Sequence, residues 1–280
     1  MRPGKDLPVV GGQLLRSALS VTDRSEHVSV LAMDSDSLQV LAPDAIAKRL
    51  LAWARSGVSN VADKDSAQSV AISAQVLKTL GIVDSAPLGR DSGSSLEDEV
   101  RQFLDYSLTK LQPDGDWLVV RGWPITKFSQ YEHLARVKDL VDEDRSGALR
   151  DALGFDYVVA PDVVVGIASE RPFLHASVSC KWTIRSDRVQ NIRHEANMLL
   201  RHRRGRAPHI VAVTAEPLPS RLASIARGTG ELDAVYHLVL PTLQAAVAQV
   251  GNSGQLAVLD ELVAHRRLLP LEDLPRNLAR

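Results

Sequence analysis

The chain has 280 residues and a mass of 30.5 kDa, enough to bury a sizeable core as one large domain or two small ones. Hydrophobic residues make up 45% and charged residues 24%, the balance of an ordinary globular protein, which excludes wholesale disorder. Thirty-three basic against 34 acidic residues leave a net charge of −1, so the chain is no polycation and any nucleic-acid binding must come from local clusters.

No window approaches the roughly 18 uninterrupted apolar residues of a membrane helix. The opening MRPGKDLPVVGG lacks the basic-then-apolar pattern of a secretory signal. The single cysteine, Cys180, excludes an internal disulfide and zinc sites built on two or more cysteines. A reducing cytoplasm, with no membrane partner, is the expected setting.

In chain order, Ser35-Asp36-Ser37 precede apolar residues at helical spacing from Ile46 to Trp53. A second helical stretch, Gln68–Leu80, stops at Gly81, which reads as a C-cap. PLGRDSGSS (Pro87–Ser95) is a loop. Leu96 to Leu111 carries a helical apolar face that Pro113-Asp114-Gly115 ends. Strand patterns follow at Trp117–Arg121, at Tyr157–Ile167 with an interruption at a proline, and at Leu174–Trp182. Val189–Leu200 is patterned as a helix, His209–Thr214 as a short buried strand, Leu218–Ile225 as a helix and Ala234–Leu240 as a strand. Helical patterns return at Leu243–Val250 and Leu256–His265.

Helices flanking a mixed central sheet predict an α/β or α+β fold. With no repeat of roughly 20–50 residues and no clear linker, the chain reads as one domain. Its helical part covers about 1–112, its core about 113–240 and its C-terminal helices about 241–280.

Several chemistries are absent. Gly228-Thr229-Gly230 lacks the third glycine of a dinucleotide loop and lies in the wrong order, between a helix and a strand. No Walker lysine loop, HExxH helix or GxSxG elbow occurs. The eight histidines are scattered without metal-ligand spacing.

The informative stretch runs from Pro161 to Glu216. Asp162 sits within an apolar run, where a carboxylate is costly to bury unless it meets a cation or a donor. Ser179 and Lys181 are two apart and share a face of a strand. If the Asp162 strand pairs with that strand, carboxylate and ammonium converge, and Glu195 on the next helix adds a second carboxylate. Phosphodiester hydrolysis needs such a set, with carboxylates for Mg²⁺ and a lysine for the attacking water. On spacing alone, an Asp162 that caps a turn and a solvated Lys181 fit as well.

Arg185, Asp187 and Arg188 follow in KWTIRSDR. Arginine donates bidentately to guanine O6 and N7, and aspartate accepts from cytosine N4. The set therefore suits adjacent G and C bases in a major groove. Arg201, His202, Arg203, Arg204 and Arg206 form a basic cluster suited to phosphates, or equally to a solvated helix end.

SCKWTIRSDRVQNIRHEA (Ser179–Ala196), RGRAPHIVAVTAEPLPSR (Arg204–Arg221) and GTGELDAVYH (Gly228–His237) resemble the NgoMIV family of type II restriction endonucleases. These are PD-(D/E)xK-fold enzymes related to the group that cuts around CCGG. The similarity is dense over Asp151–His237 and thinner in GSSLEDEV (Gly93–Val100) and PDGDW (Pro113–Trp117).

The resemblance implies a restriction-endonuclease-like fold and a role for each matching residue. Asp162 is the central metal ligand and Lys181 the catalytic lysine. Ser179 stands where the usual second acid would be, and Glu195 is the relocated acid. The Cys180 backbone carbonyl completes the metal site. Glu97 matches an accessory acid near the metal's water shell, with Glu99 as its rival. Arg185, Asp187 and Arg188 would read the inner CCGG. Arg221 and Asp34 would read the outer G·C pair.

Arg90 stands where a glutamine reaching the minor groove is expected. The segment Val163–Val178 is far shorter than the family's usual excursion, which helps dimers join into tetramers.

The implied activity is Mg²⁺-dependent cutting of double-stranded DNA at a palindrome containing CCGG, with GCCGGC the expected site. A homodimer follows from the palindrome; a tetramer is disfavoured by the short segment. A cognate methyltransferase would accompany it in the cell, without direct contact. The alternatives are a structure-specific repair or resolving nuclease of the same fold and a DNA-binding regulator that does not cut.

Overall fold

Six short strands rich in β-branched residues form one sheet in the computed structural model, which describes residues 42–83, 92–153, 159–228 and 230–280. The strands are β1 (Trp117–Arg121), β2 (Val163–Ile167), β3 (Phe173–Lys181), β4 (His209–Thr214), β5 (Ala234–His237) and β6 (Leu268–Pro270). They lie side by side in chain order. β1, β2 and β3 are antiparallel, whereas β3 to β6 run parallel. Parallel neighbours need crossovers, and helices supply them.

The helices are α1 (Pro43–Leu50), α2 (Ala67–Thr79), α3 (Ser92–Leu111), α4 (Glu132–Glu143), α5 (Ala148–Leu153), α6 (Ser186–His202), α7 (Pro219–Ala226), α8 (Leu240–Val250), α9 (Ser253–Ala264) and α10 (Leu274–Leu278). α6 connects β3 to β4 and α7 connects β4 to β5. The pair α8 and α9 leads to β6. The mixed sheet with flanking helices is the expected α/β (α+β) architecture.

α3 shows why this sequence packs as it does. Leu96, Val100, Leu104 and Leu108 recur every fourth position, so they stack on one helix face, and all four are fully buried. That face packs on β1, β2 and β3. α2 ends as its sequence suggests: Gly81 has φ +71, and Ile82 N–H donates to Leu77 O while Gly81 N–H donates to Lys78 O. This is a Schellman closure, in which the left-handed residue is easiest for glycine.

β2 carries an irregularity between Val165 and Gly166. A Cβ on Gly166 would lie 2.9 Å from the Phe128 ring, so the strand approaches that ring too closely for a side chain.

Some expectations needed correction. Asp162 is not inside a strand; it precedes β2, which begins at Val163. β5 ends at His237, and Leu240 opens α8 instead of closing the strand. α4 and α5 occupy a stretch without a predicted element. α4 buries only Leu134 and Val141, too narrow a stripe to stand out among its charges. β6 has three residues and becomes a strand by pairing with β5. Asp34, Arg90 and positions 87–91 lie outside the described residues, and the last four residues of the expected Pro87–Ser95 loop belong instead to α3. Among the described residues, no helix is long and apolar enough to cross a membrane.

Candidate active site

The antiparallel pairing of β2 with β3 sets Val163 opposite Val178. It thereby brings the residue before β2 to the last residues of β3. Lys181 Nζ donates to Asp162 Oδ2 at 2.6 Å, and Cys180 N–H donates to the same oxygen at 2.7 Å. Both ion-pair partners retain some exposure, 25% for Lys181 and 19% for Asp162, so the pair is reachable from solvent.

Ser179 and Lys181 share a face of β3, and Ser179 is buried. Its hydroxyl donates to Glu195 Oε2 on α6 at 3.5 Å, a weak contact. Burial pushes the Glu195 carboxyl above its ordinary value, and the nearby Asp162 charge pushes it further. Lys181 and Ser179 partly offset both. Asp162, Ser179, Lys181 and Glu195 are therefore brought together as the sequence suggested.

Cys180 alternates to the opposite face and is buried. Burial raises its thiol well above the usual range, and the charges of Asp162 and Glu97 add to this. A thiol held protonated is a poor nucleophile or ligand. Only its backbone belongs to the site.

Glu97 and Glu99 have different partners. Glu97 accepts from Arg121 Nη2 at 2.5 Å, and Asp98 accepts from Arg121 Nη1 at 2.5 Å. Arg121 pairs with Val163 across β1 and β2, beside Asp162. Glu99 instead takes both Nε and Nη2 of Arg49, at 2.8 and 2.5 Å, and so ties α3 to α1. Arg121 was not singled out in the sequence, because a strand arginine has no local motif.

The prospective base-reading side chains stand at the start of α6. Arg185 is its N-cap residue and Asp187 lies in its first turn. Both are exposed, while Arg188 is half-buried and donates to Thr183 O at 2.9 Å and Thr183 Oγ1 at 2.8 Å. Arg221, on α7, pairs with the carboxylate of Asp63, which also feels the charge of Arg185. Asp63 was missed because it lies far from Arg221 in sequence. Arg201 and His202 close α6, and Arg203, Arg204 and Arg206 follow, exposed.

Behind these segments lies Glu216, fully buried. Its Oε2 accepts from Ile184 N–H at 2.8 Å and its Oε1 from Leu218 N–H at 3.0 Å. Burial raises its carboxyl to about 7 despite those two bonds and the Arg221 charge.

The model of the NgoMIV restriction enzyme family matches residues 44–169 and 166–280. The type II restriction enzyme NgoMIV of Neisseria gonorrhoeae is 37% identical over 268 residues, covering 82% of this chain and 93% of that protein. The chain belongs to the NgoMIV restriction enzyme family. As a homologue of a type II restriction enzyme it falls in the class of site-specific deoxyribonucleases.

Among solved structures, the pre-specific restriction endonuclease BsaWI–DNA complex is similar at 14% identity and TM-score 0.29, covering 92% of this chain and 86% of that one. The Type IIF restriction endonuclease Bse634I with cognate DNA is similar at 12% identity and TM-score 0.35, covering 75% and 92%. The family match begins at residue 44, so Asp63, Arg90 and all the residues around Asp162 lie within it and Asp34 lies before it.

Among the described residues, no group of three or more His, Cys, Asp or Glu side chains could hold a metal ion. Asp162 and Glu195 nevertheless fit one kind of ion. They offer hard oxygen donors whose like charges oppose each other, and no imidazole or thiolate. Mg²⁺ is commonly bound by one or two carboxylates, with water and substrate phosphate completing the shell.

Proposed function

We propose that this family member is a Mg²⁺-dependent endonuclease that hydrolyses double-stranded DNA within GCCGGC. The observation that carries the reading is the 2.6 Å contact of Lys181 Nζ with Asp162 Oδ2, with the Glu195 carboxylate alongside. A non-cleaving binder gains nothing from carboxylates facing phosphate, which they repel.

Asp162, Glu195 and the Cys180 carbonyl would hold the ion. When bound, Mg²⁺ neutralises charge developing on the phosphate. Lys181, held in place by Asp162, orients the attacking water at the scissile phosphate. Ser179 donates to Glu195 and steadies its carboxylate. Attack by water on phosphorus breaks the bond to the 3′ oxygen and leaves a 5′-phosphate and a 3′-hydroxyl. Glu97, with Arg121 beside it, acts as the accessory acid.

Sequence reading rests on α6 and α7. Arg185 and Arg188 suit guanine O6 and N7, and Asp187 suits cytosine N4, within the inner CCGG. Arg221 suits the outer guanine, and Asp63 beside it presents the acceptor that cytosine N4 requires. Asp34 remains an outer-pair candidate, and Arg90 a minor-groove contact that favours shape and charge. The palindrome calls for a homodimer, each subunit reading one half and cutting one strand. A cognate methyltransferase protects the host DNA.

Incubation of plasmid DNA with the protein and Mg²⁺, followed by sequencing of the ends, tests the reading. Discrete fragments ending within GCCGGC are expected. Nicks at structural irregularities, or no cutting, would overturn it.

A further inference from the structure

α6 and α7 are separate elements, yet their leading segments are fastened to one buried side chain. We propose that Glu216 is a positioning residue that couples the inner-base and outer-base readers, so that each is aligned only when the other is. This deepens the reading above and rests on it.

Ile184 immediately precedes Arg185, and Leu218 is the N-cap residue of the helix that carries Arg221. The Glu216 carboxylate accepts one backbone N–H from each, one on each oxygen. Neither bond touches a base-reading side chain. Both fix the backbone from which those side chains project.

The strut is itself immobilised. Glu216 N–H donates to Thr214 Oγ1 at 3.1 Å, and Thr214 Oγ1 donates to Trp182 O at 3.3 Å. The carbonyl of Glu216 lies 3.2 Å from His237 Nε2, while His237 Nδ1 accepts from Val239 N–H at 3.2 Å. That second bond leaves the Nε2 proton for Glu216. Thr214, Glu216 and His237 are all buried. With its backbone held at N–H and carbonyl and one carboxylate oxygen on each segment, Glu216 transmits a displacement of one segment to the other, because a packed interior shifts in discrete steps.

The carboxylate also costs the fold something that an apolar side chain would not. Leucine at this position would fill the space but leave Ile184 N–H and Leu218 N–H without acceptors. Glutamine keeps the shape and offers one acceptor in place of two, so one segment is released while the other stays tied.

The test compares wild type with E216Q and E216D on short duplexes. These contain GCCGGC, a version altered at the outer pair, a version altered in the inner CCGG and a doubly altered version. Affinity is read by competition in Ca²⁺, and cutting rates in Mg²⁺, both at pH 8, where the Glu216 carboxyl is ionised. In wild type, the losses from inner and outer changes should be non-additive. In E216Q, discrimination at both positions should fall about tenfold, the scale of one lost charge-assisted hydrogen bond, and the losses should become additive. Affinity for the doubly altered duplex should stay unchanged.

A folding defect lowers the active fraction on every duplex alike and leaves these ratios where they were. Unchanged ratios in both variants would overturn the coupling role. So would loss of cooperative unfolding in both, which would assign Glu216 to the whole fold. A wild-type protein with no preference for GCCGGC would instead defeat the proposed site itself, before any variant is read.

Discussion

Arg221 on α7 donates to the carboxylate of Asp63, a residue 158 positions earlier in the chain. The sequence marked the arginine and was silent about its partner. Asp63→Ala should reduce preference for the outer G·C pair in the same direction as Arg221→Ala, each by about 1–3 kcal/mol of discrimination. The inner four bases should remain required. Binding assays on outer-substituted duplexes check this, and the double variant should lose less than the two single losses combined. Uniform loss across all duplexes would remove the outer-pair role.

Lys181 and Asp162 act on water, metal and phosphate. Lys181→Ala and Asp162→Ala should each lower cutting by about 10³-fold or more while sequence-specific binding survives. Arg188→Ala should do the reverse at its first step, with binding to CCGG-containing duplexes falling toward the non-specific level. Single-turnover cleavage and gel-shift titrations separate the two classes. Wild-type cutting by the Lys181 variant would be fatal to the assignment.

Glu97 and Glu99 face different arginines, Arg121 and Arg49. Glu97→Gln should slow cutting measurably. Glu99→Gln should leave the rate unchanged and cost about 0.5–1 kcal/mol of stability, as a partly exposed ion pair does. A matched set of rate constants and urea midpoints decides. Equal effects on rate would mean that neither glutamate is distinguished by its partner.

The turn between β2 and β3 is tied down at both ends. Ala168 N–H donates to Asp116 O at 2.7 Å, Ser129 N–H donates to Pro172 O at 2.8 Å, and Arg171 pairs with Glu132. Its five residues, Ala168 to Pro172, are too few to bury the roughly 1,000 Å² that a specific interface usually needs. The protein should be a homodimer that cuts one-site plasmids about as fast as two-site plasmids. Light scattering at micromolar protein without DNA measures the mass, and a tetramer would contradict the expectation.

Burial raises the Glu216 carboxyl from an ordinary 4.5 to about 7. Between those values the folded state holds a proton that the unfolded chain has released, so this stabilising contribution is full below 4.5 and is lost as pH rises through 7. The groups around it include Asp63, Arg221 and His237. His237, lowered to about 4 by burial, acts oppositely: its contribution is present above 6.5 and lost as pH falls. Comparison with E216Q isolates the glutamate. The stability of wild type relative to E216Q should decline between pH 5 and pH 8, read as urea midpoints. A flat difference would show that the carboxyl titrates normally.

Local pattern alone accounts for most of the scaffold. The i+4 ladder from Leu96 to Leu108, the Gly81 stop and the β-branched runs at β1, β2 and β4 depend on neighbours in the chain, so their sequence suffices. The same holds for the Ser179–Lys181 pair, whose common face follows from strand alternation, and for the Arg185–Arg188 cluster. A long run such as SCKWTIRSDRVQNIRHEA carries the family resemblance, because a stretch of that length rarely resembles another by chance.

What the sequence left open are relations between distant residues. Arg121 meets Glu97 only because α3 packs on β1, and Glu99 turns to Arg49 only because α3 packs on α1. Asp63 reaches Arg221, and Glu216 reaches Ile184 from 32 positions away, through the stacking of separate elements. Nothing local encodes these contacts, since a carboxylate's partner is set by which backbone segment the fold carries to it. The sequence determined which chemical groups the protein owns and which lie on a common face. The tertiary structure decided which of its acids gather around Lys181, which pair with the arginines of other elements and which one bonds two separate backbone segments.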